Sequence, residues 1–153
     1  MLLHAGAKRV YAVDVGYGEL AYKLMQDPRV QVCERTNARA LTTTIVPDKI
    51  GAIVCDISFA RLQQVLPAAM ALPKESACFL IALIKPQFEV EKYEVGEGGI
   101  VTDSRLHDQV VERTVNWVNA QAGWQVQGVC ESPIKGAKGN TEFLLGAIWK
   151  GES

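Results

Sequence analysis

The sequence has no apolar run approaching the ~18 to 20 residues that a membrane span requires, and its start, Met1-Leu2-Leu3-His4, has neither the charged lead nor the apolar length of a secretory signal. A cytoplasmic protein without a membrane partner is therefore expected. The four cysteines, Cys33, Cys55, Cys78 and Cys130, form no CxxC pair and do not cluster with either histidine. Without the spacing that metal sites and disulfide frameworks use, they read as reduced core residues, and no metal is expected. No charge sign dominates, with Lys+Arg 16 against Asp+Glu 17 and a formal net charge of -1. Contact with nucleic acid must then come from a local patch rather than a global field. His4 and His107 are isolated, the latter expected on the exposed side of a helix, which speaks against a histidine-based catalytic arrangement. Repeats, low-complexity tracts and linker-like stretches are lacking too, so the 153 residues fit one domain that can bury a core without disulfides.

What is present is an alternation of short β-rich runs with helical patterns, the signature of βαβ units and a mostly parallel sheet covered on both faces. Strands are expected over Arg9 to Asp14, Val30 to Cys33, Ile50 to Asp56, Cys78 to Ile84, Gln125 to Cys130 and Glu142 to Trp149. Glu19 to Gln26 carries Leu20, Leu24 and Met25 at helical spacing and stops at Asp27-Pro28. Leu62 to Leu72 is a second helix, and Ser104 to Gln121 a third, capped by Asp103 and ended by Gly123, with Leu106, Val110, Trp117 and Val118 on one side. Trp117, Trp124 and Trp149 are expected to pack in the core. The longest loop, Pro86 to Thr102, is rich in Gly and Glu, and loops of such length in a compact domain are often functional.

Three apolar strands end in ionisable side chains: Asp14 after Val10-Tyr11-Ala12-Val13, Asp56 after Ile53-Val54-Cys55, and Lys85 after the run from Cys78 to Ile84, where Pro86 halts it. In an open parallel sheet the ligand crevice lies outside the carboxyl ends of the strands, so these groups are expected to face substrate. Asp14, followed by Val15-Gly16-Tyr17-Gly18, suits a ribose hydroxyl pair equally with a carboxylate at a helix start. Asp56 suits a partner for a cationic group or a helix cap. Lys85, flanked by Ile84 and Pro86, has few routes to solvent if its strand is central, and a buried ammonium needs partners. The segment Lys135-Gly136-Ala137-Lys138-Gly139-Asn140, just before Glu142, reads as a flexible basic loop able to approach a phosphate backbone or as an ordinary solvated turn.

Five motifs occur in order: Tyr11 to Gly18, Glu34-Arg35-Thr36-Asn37, Asp56-Ile57-Ser58-Phe59, Ile84-Lys85-Pro86-Gln87-Phe88-Glu89 and Lys138-Gly139-Asn140-Thr141-Glu142-Phe143. Together they resemble the TlyA-type haemolysin family, itself similar to the FtsJ-type ribose methyltransferases, across nearly the whole chain. The resemblance implies a Rossmann-like α/β methyltransferase sheet over residues 1–153, as a partial FtsJ-like domain, and an S-adenosylmethionine-dependent 2'-O-methyltransferase of ribosomal RNA. Of the family's Lys-Asp-Lys-Glu tetrad, Asp56, Lys85 and Glu142 match the last three members. Asp14, Val15, Thr36, Asn37 and Asp56 fall where the cofactor is bound, and Arg35, Arg39, Lys135 and Lys138 are expected to meet RNA. The first tetrad lysine, the glycine-rich cofactor loop after the first strand and the S4-like RNA-binding domain have no counterpart among these residues.

With two carboxylates beside it, Lys85 is expected to orient the attacking hydroxyl and stabilise charge rather than act as a simple base, with positioning supplying much of the rate. Recognition of a 2'-hydroxyl points to RNA, a ribosomal RNA or subunit, and not DNA. The family's first strand lies between those ending at Asp14 and Asp56, so without it these two are expected to close up together or to be completed by dimerisation or strand exchange through unpaired edges. The alternative function is a catalytically inactive methyltransferase-fold protein that binds RNA or a protein partner. A membrane-active haemolysin is disfavoured, since no apolar span or basic amphipathic helix supports it.

Overall fold

Short parallel strand pairs, each joined by a crossover, form the framework. The computed structural model describes residues 1–72 and 77–151. Strand β1 (Val10–Val13) pairs in parallel with β2 (Val30–Cys33), and β3 (Ala52–Cys55) pairs in parallel with β4 (Cys78–Ile84). Two antiparallel strands follow, β5 (Trp124–Glu131) and β6 (Phe143–Trp149), with β6 inserted between β4 and β5. The result is one two-stranded sheet and one four-stranded mixed sheet in the order β3-β4-β6-β5. The α/β class is as expected, with more antiparallel pairing than a mostly parallel sheet implies.

The crossover helices differ in how firmly packing supports them. Between β1 and β2, α1 is a single turn, Tyr22–Met25, with no buried residue. The longer helix expected there does not form, because a short helix in water needs tertiary burial of one face to persist. By contrast α2 (Leu62–Met70) buries Leu62, Leu66 and Met70 at four-residue spacing, which keeps it helical despite Pro67 inside it. The longest helix, α4 (Ser104–Asn119), is capped by Asp103, whose carboxylate accepts the Arg105 N–H at 2.9 Å, and buries Val110, Thr114 and Val118. At Gly123, φ is +75° and a Cβ would run into the Trp149 indole and the Gly151 carbonyl, so only glycine fits the turn from α4 into β5.

Helices α2 and α4 lie on one face of the larger sheet, where Leu80, Ile84 and Leu145 are fully buried among them. Each fully buried Leu or Ile contributes about 1.5 to 3 kcal/mol relative to exposure. The opposite face is bare. Val54, Phe79 and Ile81 remain 53%, 43% and 40% exposed, so the expected cover on both faces is absent among the described residues. Of the cysteines only Cys78 is buried in the core; Cys33 and Cys55 are half-buried and Cys130 is exposed, because β5 is an outer strand. Trp124 is buried, and Trp117 and Trp149 pack partly buried against the same core.

Strands β1 and β3 do not close up on each other, contrary to one of the two expectations for them. A cleft of about 970 Å³ separates them, lined by Val10, Val13, Ile53, Cys55, Leu66 and Ala69 among others. At one end it is bridged by Asp48, which accepts the Tyr11 hydroxyl at 2.7 Å and pairs with Arg9 at 3.2 Å. Those links join the start of β1 to the turn that leads into β3, so the two strands begin at the same end of the cleft.

Candidate active site

Three strand ends converge on one edge. In the β3–β4 ladder Cys55 pairs with Ala82, so Asp56 leaves β3 beside the last turns of β4. The β4–β6 ladder ends at Ile84 opposite Phe143, so Lys85 and Glu142 are the next residues on each strand. Strand register thereby sets Asp56, Lys85 and Glu142 at the ends of neighbouring strands. Glu142 precedes β6 rather than opening it.

Lys85 is 13% exposed at its side chain, and its Nζ reaches Asp56 Oδ1 at 2.6 Å and Ser58 Oγ at 3.2 Å. Asp56 is 71% exposed, so the pair has one desolvated member and one open to solvent. The reading of Asp56 as a helix cap does not hold, since Arg61 occupies that position on α2. Glu142 is buried, and its Oε1 accepts the Gln87 Nε2 hydrogen at 3.3 Å. Gly136 packs so closely on this carboxylate that a Cβ there would overlap it. The Gln87 Oε1 is buried with no hydrogen-bond partner.

Further along, Pro86–Glu89 forms a one-turn helix, α3, which Pro86 at its first position suits. Glu89 is buried and accepts the Leu62 N–H at 2.8 Å, tying α3 to the start of α2. Burial pushes its carboxyl above the usual carboxylate range, against the opposing pull of the Leu62 hydrogen bond and Arg113. Burial likewise pushes the Cys55 thiol up to about 11, aided by the adjacent Asp56 charge. The loop after α3 is ordered by a capping box between Glu91 and Glu94 and by the Arg61–Glu91 ion pair at 2.6 Å. His107 is half-buried rather than exposed, with Nε2 2.8 Å from the Val101 carbonyl and its ring against Phe143.

Phe59 stands out beside Asp56 and Ser58. It is 91% exposed, sits at φ +63°, and its ring lies 4.9 Å from that of Phe88. A bulky side chain held in the left-handed region and turned to solvent is uncommon in a purely structural turn. Ser58, Phe59, Gln87, Glu89 and Gly136 received no role from the sequence alone. The available signal was their position next to Asp56, Lys85 and Glu142.

The predicted cofactor residues gather at the end of β1. Asp14 is exposed, and its Oδ1 accepts the Gly16 N–H at 2.7 Å. It does not sit at a helix start, since α1 begins at Tyr22. The Thr36 N–H donates to the Asp14 carbonyl at 2.9 Å, and Asn37 caps the following turn by accepting the Arg39 N–H at 3.0 Å. Asp14, Val15, Thr36 and Asn37 thus share one surface, while Asp56 lies across the cleft, whose lining includes both Val13 and Asp56.

The four predicted RNA contacts come from two loops. Arg35 lies 4.4 Å from the Tyr17 ring centroid, and Arg39 donates to Gln64 at 2.9 Å. Lys135 pairs with Glu131 at 2.7 Å, and Lys138 has φ +58° in a turn that is not a free loop. Asn140, fully buried, anchors that turn by accepting the Val101 N–H and donating to the Gly99 and Ala137 carbonyls. Among the described residues no group of three or more His, Cys, Asp or Glu could hold a metal ion.

The mixed sheet, with ionisable residues at its strand ends, has the fold of the FtsJ-like methyltransferases. The pattern of the FtsJ-like methyltransferase family matches residues 1–148, and the chain belongs to that family. It is 44% identical over 145 residues to the 16S/23S rRNA (cytidine-2'-O)-methyltransferase TlyA of Mycobacterium tuberculosis, covering 95% of this chain and 53% of that protein. Over 152 residues it is 44% identical to YqxC of Bacillus subtilis, a candidate rRNA methyltransferase, covering 98% and 53% of the two chains. Among solved structures, a candidate hemolysin of Lactococcus lactis superposes with a TM-score of 0.89 at 38% identity, covering 96% of this chain and 70% of that one. The chain spans about half the length of the curated relatives it matches.

Proposed function

We propose that the chain is the catalytic part of a cytoplasmic, S-adenosylmethionine-dependent 2'-O-methyltransferase of ribosomal RNA. The observation that carries this reading is the Lys85–Asp56 contact of 2.6 Å at adjacent strand ends, with Glu142 at the matching position on the next strand. An ammonium held by a carboxylate and a hydroxyl, and largely shielded from water, is a fixed positive charge. Such a charge can orient a ribose hydroxyl through a charge-assisted hydrogen bond and stabilise the oxyanion as its proton passes to water.

The residues present fit the cofactor in part. The exposed Asp14 carboxylate offers acceptors for ribose hydroxyls, and Thr36 and Asn37 beside it offer further polar contacts. S-adenosylmethionine, when bound, supplies a methyl group on a sulfonium that needs no further activation. The chain's own contribution is alignment: Asp56 and Ser58 hold Lys85, Lys85 holds the hydroxyl, and Phe59 offers an exposed ring on which the base of the target nucleotide can stack. Arg35, Arg39, Lys135 and Lys138 would add backbone contacts on the two flanking loops.

The test is transfer of labelled methyl from S-adenosylmethionine to ribosomal RNA, with calorimetry of cofactor binding alongside. Lys85→Ala should abolish transfer while sparing cofactor affinity, and Asp14→Ala should weaken that affinity. Appreciable transfer by the Lys85 variant would sink the assignment. Salt-sensitive RNA binding with no cofactor binding would instead favour the inactive RNA-binding alternative.

A further inference from the structure

Lys85 and Glu142 stand where an ion pair would ordinarily form, yet among the described residues each is bonded elsewhere. The β4–β6 ladder runs to Ile84 opposite Phe143, so the next step of that register sets Lys85 across from Glu142. Lys85 keeps an extended backbone there, and the Glu142 carbonyl still accepts the Ser132 N–H at 2.8 Å. Opposite charges at facing positions of an antiparallel pair attract, and a buried carboxylate beside an ammonium is normally bonded to it. Here the ammonium goes to Asp56 Oδ1 at 2.6 Å and Ser58 Oγ at 3.2 Å, while the carboxylate takes a neutral donor, Gln87 Nε2, at 3.3 Å. Two features hold the carboxylate in this diverted position. Gly136 closes one side, since a Cβ there would overlap its Cγ, Cδ and Oε1. Gln87 supplies the donor through an amide whose Oε1 is buried without a partner. An orphaned acceptor is costly, and turning the amide over would set Oε1 against an acceptor-only carboxylate and leave Nε2 unpaired as well. The bond that this amide gains at that cost is the one to Glu142.

We propose that Gln87 is a positioning residue: it holds the Glu142 carboxylate away from Lys85 and so keeps one hydrogen of the ammonium open to a substrate hydroxyl. An ammonium has three donors, and Asp56 and Ser58 occupy two of them. A Glu142 carboxylate closed onto the third would satisfy the ammonium within the protein and leave nothing to offer. Gln87 suits this role because it rides on the same turn as Lys85. Pro86 starts α3, and the Phe88 and Val90 N–H groups close on the Lys85 and Pro86 carbonyls at 2.9 and 3.0 Å. Buried Glu89 ties the turn to α2 through the Leu62 N–H at 2.8 Å. One anchored turn thus sets both the ammonium and the donor that keeps Glu142 from it. The separation of Lys85 from Glu142 stands on geometry, and its catalytic consequence rests on the functional reading above.

The test combines crystal structures of the parent chain and of Gln87→Met with thermal melts and labelled-methyl transfer to ribosomal RNA. Methionine keeps the length and bulk of the side chain and removes both the donor and the orphaned acceptor, so the melting temperature should be little changed; Gln87→Leu is the second variant. In both variants the Glu142 carboxylate should move onto Lys85 Nζ, while in the parent it stays apart. The kcat should fall roughly tenfold or more, with cofactor affinity and the KM for RNA within about twofold of the parent. In a Glu142→Gln background no carboxylate is left to close on the ammonium, so adding Gln87→Met should cost less than about twofold in kcat. A Glu142 carboxylate that stays in place in both variants overturns the proposal, and so does an undiminished kcat once it has moved. An equal loss of kcat with and without the Glu142 carboxylate assigns Gln87 a purely structural role and overturns it too. A parent chain that transfers no methyl counts against the enzymatic reading alone, and the structures then decide the positioning role by themselves.

Discussion

Lys85 and Asp56 meet at 2.6 Å with opposite solvation, the lysine side chain 13% exposed and the aspartate 71%. The ammonium is therefore held by an exposed carboxylate, with Ser58 Oγ as its second partner at 3.2 Å. Asp56→Asn keeps a hydrogen-bond acceptor and removes the charge. Transfer to ribosomal RNA should fall at least tenfold in this variant, with the melting temperature shifted by less than a few degrees, because an ion pair open to solvent contributes only about 0 to 1 kcal/mol to folding. Parallel methylation assays and thermal melts check both halves.

Phe59 gives a sharper separation of stability from function. Its φ of +63° costs a bulky residue about 1 to 2 kcal/mol, and its ring contact with Phe88 returns a comparable amount. Phe59→Gly should leave the melting temperature nearly unchanged. If the ring stacks the target base, that variant loses about 1 to 3 kcal/mol of RNA contact, a fall of roughly 5- to 150-fold in kcat/KM, with cofactor affinity intact.

Gly136 and Glu142 predict a coupled pair. Gly136→Ala places a methyl group where the buried Glu142 carboxylate sits, and should destabilise by about 1 to 3 kcal/mol in urea unfolding. Adding Glu142→Ala removes the obstacle, so the double variant should be less destabilised than the sum of the two single changes. Additive losses would show that the carboxylate moves aside at little cost.

Glu89 sets a pH dependence. Burial raises its carboxyl above the unfolded value near 4.5, so the folded state holds that proton more tightly than the unfolded chain does. The stability it contributes is complete below pH 4.5 and is lost as pH rises through the folded value. Glu89→Gln keeps an acceptor for the Leu62 N–H and removes the titration. The melting temperature of the variant minus that of the parent should therefore grow as pH rises above 4.5. A difference independent of pH between 4 and 8, on the order of the carboxylate range and above, would contradict the assignment.

Strand positions were legible where apolar runs met hard stops. β2 and β4 span the expected residues, since Pro86 bounds the latter, and α4 begins where Asp103 predicts. The meeting of Asp56 and Lys85 was legible as motif and strand end. What was not legible depends on partners remote in sequence. Alternation along β4 shows that Phe79 and Ile81 share a face, but whether anything covers that face is a property of the whole fold. The single turn of α1 reflects missing burial, which Leu24 and Met25 at helical spacing do not reveal. The Gln87–Glu142 and Ser58–Lys85 bonds join separate motifs, and local pattern carries no information about them.

The insertion of β6 between β4 and β5 has a consequence for how the molecule is made. During vectorial synthesis β5 emerges from the ribosome with no strand to join, because both of the ladders that lock it to β4 run through β6. The four-stranded sheet can zip up only when Phe143–Trp149 arrives, and Glu142 arrives with it. Biogenesis therefore carries its own timer: the nascent chain holds Asp56 and Lys85 early, and the last of the three strand-end residues enters at the same moment as the strand that makes the sheet whole.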